Sequence, residues 1–294
     1  MKGSRMLYGP VALALYAAAS FAVSDFSVRL GLRHSTPYTG SLVQAVVHLA
    51  IFGFLFLWLF PETGIFNRGS WWYLASGAAD PGIGVMFYFL GISRLGVARG
   101  ATVIGTSPLF SAAGAMLLLG ERPNAWVWLG TLAIVVGIGV LAYEPRGSVR
   151  DKSGFLYLLF GALFLGMANP LRKMGLAFIP SSVVGMAVAQ VGAILTLFLI
   201  APLLPAGTRF NANPKGLGYY FLTSLGIGLA LFFAFEALRL GAVSVVVPIV
   251  HIFPLIVILL AWIFLREKER INSRLLTGAV LIVGGVAAIT SLGH

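Results

Sequence analysis

The sequence is short of charge and contains no cysteine. Only 10% of its 294 residues are Asp, Glu, Lys or Arg, whereas a soluble domain carries roughly 25%. This composition excludes an ordinary soluble domain, whose surface must be polar enough to face water. The lack of cysteine also excludes a disulfide framework and a thiolate metal site. No cofactor or metal is expected.

Apolar residues stand where charge is missing. They make up 59% of the chain, at a mean hydropathy of +0.96, in stretches at least as long as the ~18 residues of a membrane-spanning helix. Helices of this length satisfy their own backbone hydrogen bonds in hydrocarbon. The sequence therefore predicts an all-α integral membrane protein with ten transmembrane helices, here called spans, over 7–24, 37–60, 70–93, 100–120, 123–143, 154–176, 174–204, 216–235, 240–265 and 275–293.

The net charge of +11 does not indicate a nucleic-acid partner. The 20 Lys and Arg are scattered, and no basic helix face with interleaved aromatics occurs. The expected partners are the lipid bilayer and a small-molecule substrate. The choice between a monomer and a homodimer stays open.

The second half of the sequence repeats the first. The triplet RLG at 94–96 returns at 239–241, and Pro108 has a counterpart in Pro254. The repeat predicts two five-helix halves, 1–147 and 148–294. It also needs residues 7–31 as its first helix, so this stretch is retained although it looks like a signal peptide. Because five is odd, the halves enter the membrane in opposite directions. Such inverted repeats are typical of transporters, whose site lies between the halves near the midplane.

Two charged corners end equivalent spans of the two halves. Glu121 and Arg122 follow the fourth span, and Glu267 and Lys268 follow the ninth. We expect them to play a structural role at the membrane surface, where each acid pairs with a cation and with helix-end backbone groups. Inversion would put the two corners on opposite faces.

These features resemble the EamA branch of the drug/metabolite transporter superfamily over essentially the whole chain. The resemblance rests on the two-times-five layout, the proline midway along the fourth span, the motif LLLGERP at 117–123 and a glycine-rich fifth span. It implies ten helices, a cavity lined by spans 1, 3, 4, 6, 8 and 9, and export of small metabolites across a prokaryotic inner membrane. It also implies that both termini lie in the cytoplasm. The distribution of Lys and Arg opposes this orientation, because only seven of the 20 would then be inside. We adopt the orientation that the resemblance implies, with both termini in the cytoplasm.

Asp80 is the first candidate site residue, because an ionisable group at the bilayer centre costs roughly 2.5–3.5 kcal/mol and calls for a reason. It lies midway along the third span, beside Pro81 and Gly82, which loosen the helix. We interpret it as a cavity acid that binds a cation, a substrate amine or a proton. A purely internal hydrogen bond is the alternative.

The repeat adds a second set of candidates. Ser24 and Asp25 in the first span correspond to Asn169 and Pro170 in the sixth, so both halves place a polar break at the same depth. For Asp25, an ion pair with Arg29 one turn later is an equal alternative.

Three further residues complete the candidate site. His251 lies between two prolines of the ninth span and Ser107 in its counterpart, while Tyr88 lies on the third span. His251 is either a titrating cavity residue or a neutral, hydrogen-bonded one. Tyr88 could line the cavity.

Glycines predict how the halves join. Gly130, Gly137 and Gly139 on the fifth span match Gly278, Gly284 and Gly285 on the tenth. Small residues allow close approach, so these two spans should pack together.

The predicted function is secondary-active transport by alternating access, exporting a small metabolite such as an amino acid by proton antiport. The alternative is a flippase for a lipid-linked or polyprenyl-phosphate carrier, with Arg29, Arg172 and Lys173 as a headgroup pocket. An enzyme is not predicted, because the sequence has no metal-site motif, nucleophile motif or acid pair at helical spacing.

Overall fold

The computed structural model describes residues 2–65, 67–95, 100, 103–141, 152–204, 206–256 and 273–292, without the side chains of 2–8, 25, 26, 28, 29, 89, 92, 93, 206, 274 and 275. All regular secondary structure in these ranges is helical. The helices are α1 (Lys2–Leu32), α2 (Pro37–Leu59), α3 (Arg68–Gly77), α4 (Gly84–Leu95), α5 (Ser107–Leu119), α6 (Ala125–Leu141), α7 (Lys152–Phe178), α8 (Ser182–Ile200), α9 (Pro214–Leu240), α10 (Val243–Val250) and α11 (Ser273–Leu292).

Four helical segments within the described ranges are long and apolar enough to cross a membrane: Pro37–Leu59, Lys152–Phe178, Ser182–Leu203 and Pro214–Leu240. Shorter apolar helices cover Gly9–Ser24, Ser107–Leu119, Ala125–Leu141, Val243–Ile256 and Leu276–Leu292. Ten spans therefore remain a prediction. The division at 147/148 and the corner residues Glu267 and Lys268 fall outside the described residues.

Local sequence accounts for several helix starts. Thr36, Ser181 and Asn213 cap α2, α8 and α9, each accepting a hydrogen bond from a backbone N–H of the first turn. Pro37 and Pro214 occupy first helical positions, where the missing N–H costs nothing. At the end of α5, Gly120 has φ 66°, a left-handed conformation that favours glycine.

The third span is broken, as the sequence predicts. Between α3 and α4 lies a wide π-type turn over Ala78–Ile83, in which Asp80 has the non-helical angles φ −146° and ψ 118°. Pro81 provides the cause, because proline lacks an N–H and disfavours the helical conformation of the preceding residue. The break exposes backbone groups around Asp80.

Two helix pairings join one half of the chain to the other. In the repeat, the first span is equivalent to the sixth and the third to the eighth, and each pairing combines one span from each of these two sets. The first span packs on the eighth, α1 on α9, where Gly31 meets the Tyr220 ring. The third packs on the sixth, α3 and α4 on α7, where Gly84 and Gly91 meet Leu165 and Leu158. In both pairs, residue numbers rise along one helix in the direction in which they fall along the other, so the helices are antiparallel.

Equivalent helices also pack directly against each other. On α6 and α11, a Cβ at Gly130 would lie 2.6 Å from the Gly285 carbonyl oxygen, and one at Gly137 would lie 2.9 Å from that of Gly278. The predicted packing of these two spans through glycines is confirmed for Gly130, Gly137, Gly278 and Gly285, whereas Gly284 has nothing within 4 Å of its Cβ position. The two helices run in opposite directions. At one end of the α2–α8 pair, the Tyr38 hydroxyl donates to the Leu197 carbonyl at 3.0 Å.

Candidate functional site

An ion pair occupies the break in the third span. Arg172 Nη2 on α7 lies 2.7 Å from Asp80 Oδ2, and the side chains are 7% and 20% exposed, respectively. The same nitrogen lies 3.4 Å from the Asp80 carbonyl oxygen, which the broken helix leaves available. The acid predicted from sequence thus has a buried cationic partner from the other half of the chain.

Two neighbours fix the guanidinium. Arg172 Nη1 donates to Asn169 Oδ1 at 3.2 Å, and the Arg172 guanidinium carbon lies 5.4 Å from the centroid of the Phe235 ring on α9. Asn169 and Arg172 are three residues apart, so they share one face of α7. The structure therefore brings two predicted residues, Asp80 and Asn169, together through Arg172.

The other predicted pair meets where the fourth and ninth spans cross. Ser107 Oγ lies 2.9 Å from His251 Nε2, and His251 Nδ1 lies 2.9 Å from the Val247 carbonyl oxygen. A carbonyl only accepts, so Nδ1 carries a proton. In the neutral ring, Nε2 then accepts from the Ser107 hydroxyl.

Helix α7 links the two clusters. A Cβ at Gly166, one turn before Asn169, would lie 2.5 Å from the Ser107 carbonyl oxygen. Tyr88 lies on α4 against the same helix, since a Cβ at Gly161 would lie 3.0 Å from the Tyr88 backbone nitrogen. Glycines of α7 thus let the third and fourth spans approach its backbone closely.

The first-span candidates lie in a different environment. Ser24 is buried, donates to the Ser20 carbonyl oxygen at 2.8 Å and faces Gly226 of α9. Its described contacts are thus with α1 and α9. The side chain of Asp25 is outside the described residues, as is that of Arg29.

Glu121 binds backbone groups at a helix end, and that helix lies in the other half of the chain. Its Oε1 accepts from the Val243 backbone N–H at 2.7 Å, and its Oε2 accepts from the backbone N–H and the hydroxyl of Ser244 at 3.0 and 2.7 Å. It therefore caps the start of α10 in the other half, rather than pairing with its neighbour Arg122, which is exposed. Amides at a helix N-terminus lack intrahelical partners and attract negative charge.

Lys173 binds the opposite side of the same corner. Its ammonium donates to the carbonyl oxygens of Leu238 and Gly241, the latter at 2.9 Å, at the C-terminal end of α9. A cation is favourable there. The corner between α9 and α10 is thus held by the Glu121 carboxylate, which binds the amides, and by the Lys173 ammonium, which binds the carbonyl oxygens.

These contacts bear on the predicted headgroup pocket of Arg29, Arg172 and Lys173. Arg172 and Lys173 lie in the last two turns of α7, and both have partners within the protein. The sequence contains one signal that could have placed Arg172 in the site, its spacing of three residues from Asn169. Its proximity to Asp80 depends on the antiparallel packing of two distant spans, which spacing does not reveal.

The EamA-like transporter family model matches this chain twice, over residues 9–143 and 152–291. The chain belongs to the EamA-like transporter family. It is 24% identical over 214 residues to the uncharacterized transporter YdfC of Bacillus subtilis (strain 168), a match that covers 69% of this chain and 67% of that protein. A solved structure titled "Crystal structure of protein" superposes with a TM-score of 0.76 at 18% identity, covering 96% of this chain and 98% of the other. That likeness shows the fold.

Family membership establishes the general function. The protein is a multi-pass membrane transporter with two repeats in one chain, and transporters are not an enzyme class. Its partners are a small-molecule substrate and membrane lipid.

Proposed function

We propose that the protein is a secondary-active exporter of a small metabolite such as an amino acid, working by alternating access with proton antiport at Asp80. The observation that carries this proposal is the buried Asp80–Arg172 pair at a helix break between the halves. A buried ion pair often stabilises a protein no better than apolar residues of the same volume. Its presence inside a membrane protein therefore favours a functional role.

The architecture we propose is ten transmembrane helices in two inverted repeats, divided near 147/148. It is supported by the equivalent helices α6 and α11, which pack with opposite chain directions, as an inverted repeat requires. Two contacts support termini on the same side, because they place the start of α1 and the end of α11 near the corner where Glu121 caps α10. Pro10 of α1 lies against Gly241, and Asn124 donates to the Leu292 carbonyl oxygen at 3.0 Å. We place this end in the cytoplasm of a prokaryotic inner membrane by family likeness.

Antiport follows if Asp80 holds one cation at a time. The carboxylate is the more exposed member of the pair, so it is the group that a proton or a substrate amine reaches. Binding of one excludes the other, and each leaves when the cavity opens to the opposite side. Ser107 and His251, which join the fourth and ninth spans, are a second place where such a change could be transmitted.

Reconstituted vesicles with an imposed pH gradient test the proposal. A thermal-shift screen against amino acids, nucleosides, cationic drugs and polyprenyl phosphates first selects the substrate. The wild type should accumulate it against its gradient, whereas Asp80→Asn should not, at matched amounts of folded protein. Glu236→Gln is the control, because it makes the same change in an ion pair whose cation, Arg239, is 41% exposed rather than buried. Undiminished uptake by the Asn variant would make Asp80 structural and His251 the next candidate.

One observation keeps the flippase as a second candidate. An apolar groove of about 310 Å³ lies between α2, α8 and α9 and includes Phe52, Val183 and Phe232. A lipid chain could enter laterally there. Arg172 and Lys173 already have partners, which weakens the headgroup pocket that this reading needs. Scrambling of a fluorescent polyprenyl phosphate in vesicles, without a pH gradient, would favour it over the exporter.

A further inference from the structure

Arg172 has hydrogen-bonding capacity that its neighbours do not use. Nη1 binds Asn169 and Nη2 binds Asp80, but Nε is buried with no hydrogen-bond partner among the described residues. A buried donor without a partner is costly, because it has lost its bonds to water and gained none in return. A cost of this kind, on a 7% exposed side chain, indicates that the unused N–H serves a state other than the one seen.

The unused Nε belongs to the edge of the guanidinium that binds carboxylates. In a guanidinium, the N–H bonds of Nε and Nη2 point the same way and match the two oxygens of a carboxylate. Asp80 reaches this edge with the single oxygen Oδ2, on Nη2. A second carboxylate that bonded both nitrogens would make one hydrogen bond more than the Asp80 carboxylate does.

The rest of the guanidinium is held in place. Phe235 stacks on one face, and Asn169 binds Nη1 at the far end. The edge formed by Nε and Nη2 therefore keeps its direction without Asp80. Because Asp80 is 20% exposed and Arg172 only 7%, a ligand would approach from the Asp80 side.

We propose that Arg172 recognises the substrate by exchanging the Asp80 carboxylate for a carboxylate, or a similar planar oxyanion, of the transported molecule. This deepens and rests on the proposed function. Asp80 holds the guanidinium neutralised while the site is empty, since an unpaired buried charge would be costly. Once displaced, it is free for the substrate amine, whose binding excludes the proton as the proposed function requires. The substrate class is an organic acid, with or without an amine.

Binding to the full-length protein in nanodiscs tests this without any transport assay. The probes are benzoate, 3-phenylpropionate and indole-3-acetate, each compared with its primary amide by calorimetry. We expect every acid that binds to do so at least tenfold more tightly than its amide. Arg172→Lys keeps the charge but loses the paired edge, so it should weaken acid binding at least tenfold and leave amide binding unchanged. Arg239→Lys, in an exposed ion pair, should bind like the wild type.

A second variant gives a change in the opposite direction. Asp80→Asn removes the competing carboxylate, so the acids should bind several-fold more tightly, which a merely structural pair would not produce. Equal binding of every acid and its amide, or no gain in Asp80→Asn, would overturn the proposal. If gradient-driven transport holds while acids and amides bind alike, only this inference fails. If acid binding follows Arg172 but no vesicle accumulates solute, the proposed function fails and the inference stands.

Discussion

Glu121 and Ser244 are joined by two hydrogen bonds although 123 residues separate them in the chain. One is donated by the Ser244 backbone N–H and one by its hydroxyl, and the second carboxylate oxygen binds Val243. A side chain from the first repeat thus forms the N-terminal cap of a helix in the second. The end of α5 and the start of α10 are therefore tied to each other.

Loss of this cap should destabilise the protein. Glu121→Ala leaves the Val243 and Ser244 amides without partners, and we expect a loss of about 1–2 kcal/mol, as for other helix caps. Glu121→Gln keeps an accepting oxygen but loses the charge, so its effect should be smaller. Thermal unfolding in detergent measures both. Arg122→Gln, a change of an exposed neighbour, is the control, and a Glu121→Ala protein as stable as this control would show that the cap contributes nothing.

The glycine contact between α6 and α11 should not tolerate a side chain. A Cβ at Gly285 would lie 2.5 Å from the Gly130 carbonyl oxygen, which is backbone and does not move aside cheaply. Gly285→Leu should therefore lower stability by about 1–3 kcal/mol or prevent assembly, and Gly137→Leu should do likewise.

The adjacent residue provides a matched control for that experiment. Gly284 is on the same helix with nothing within 4 Å of its Cβ position, so Gly284→Leu should leave the melting temperature near the wild-type value. Equal effects of the substitutions at 284 and 285 would rule out a specific contact. Expression level and melting temperature in detergent distinguish these outcomes.

The sequence was informative wherever a pattern is local or repeated. Apolar run lengths predict helices, Pro81 predicts the break at Asp80, and matching glycines predict the α6–α11 contact. These depend on backbone chemistry that is the same in every context. The number of spans stays a prediction, because only four helical segments within the described ranges are long and apolar enough to cross a bilayer.

What the sequence could not reveal are partnerships across the chain. The sequence suggests a headgroup pocket for Arg172. For Glu121 it suggests a cation and helix-end backbone groups, without indicating which helix. Their true partners, Asp80 and the start of α10, come from antiparallel packing of distant helices. The register of that packing depends on close fits such as Gly84 against Leu165, which no periodicity encodes.

The Asp80–Arg172 pair changes what Asp80→Asn should do to stability. The substitution preserves the size of the side chain, but removal of one charged member of a buried pair leaves the other uncompensated. We expect a loss of about 3 kcal/mol, at the lower end of the usual range because Asp80 is partly exposed. The double variant Asp80→Asn/Arg172→Gln should recover part of this loss. A double-mutant cycle by denaturant unfolding checks it, and additive effects would mean that the pair does not interact in the membrane-extracted protein.

The contact between Ser107 and His251 makes a prediction that is independent of Asp80. Because His251 Nδ1 donates to the Val247 carbonyl, the neutral ring should be the Nδ1-protonated tautomer, with Nε2 accepting from Ser107. The ¹⁵N chemical shifts of the two ring nitrogens report this directly. Ser107→Ala removes the donor to Nε2 and should cost about 1 kcal/mol of stability. Ser291→Ala, which removes an exposed hydroxyl bound to its own helix, should cost less. An Nε2-protonated ring in the wild type would mean that Ser107 is the acceptor and that Nδ1 has a partner other than Val247.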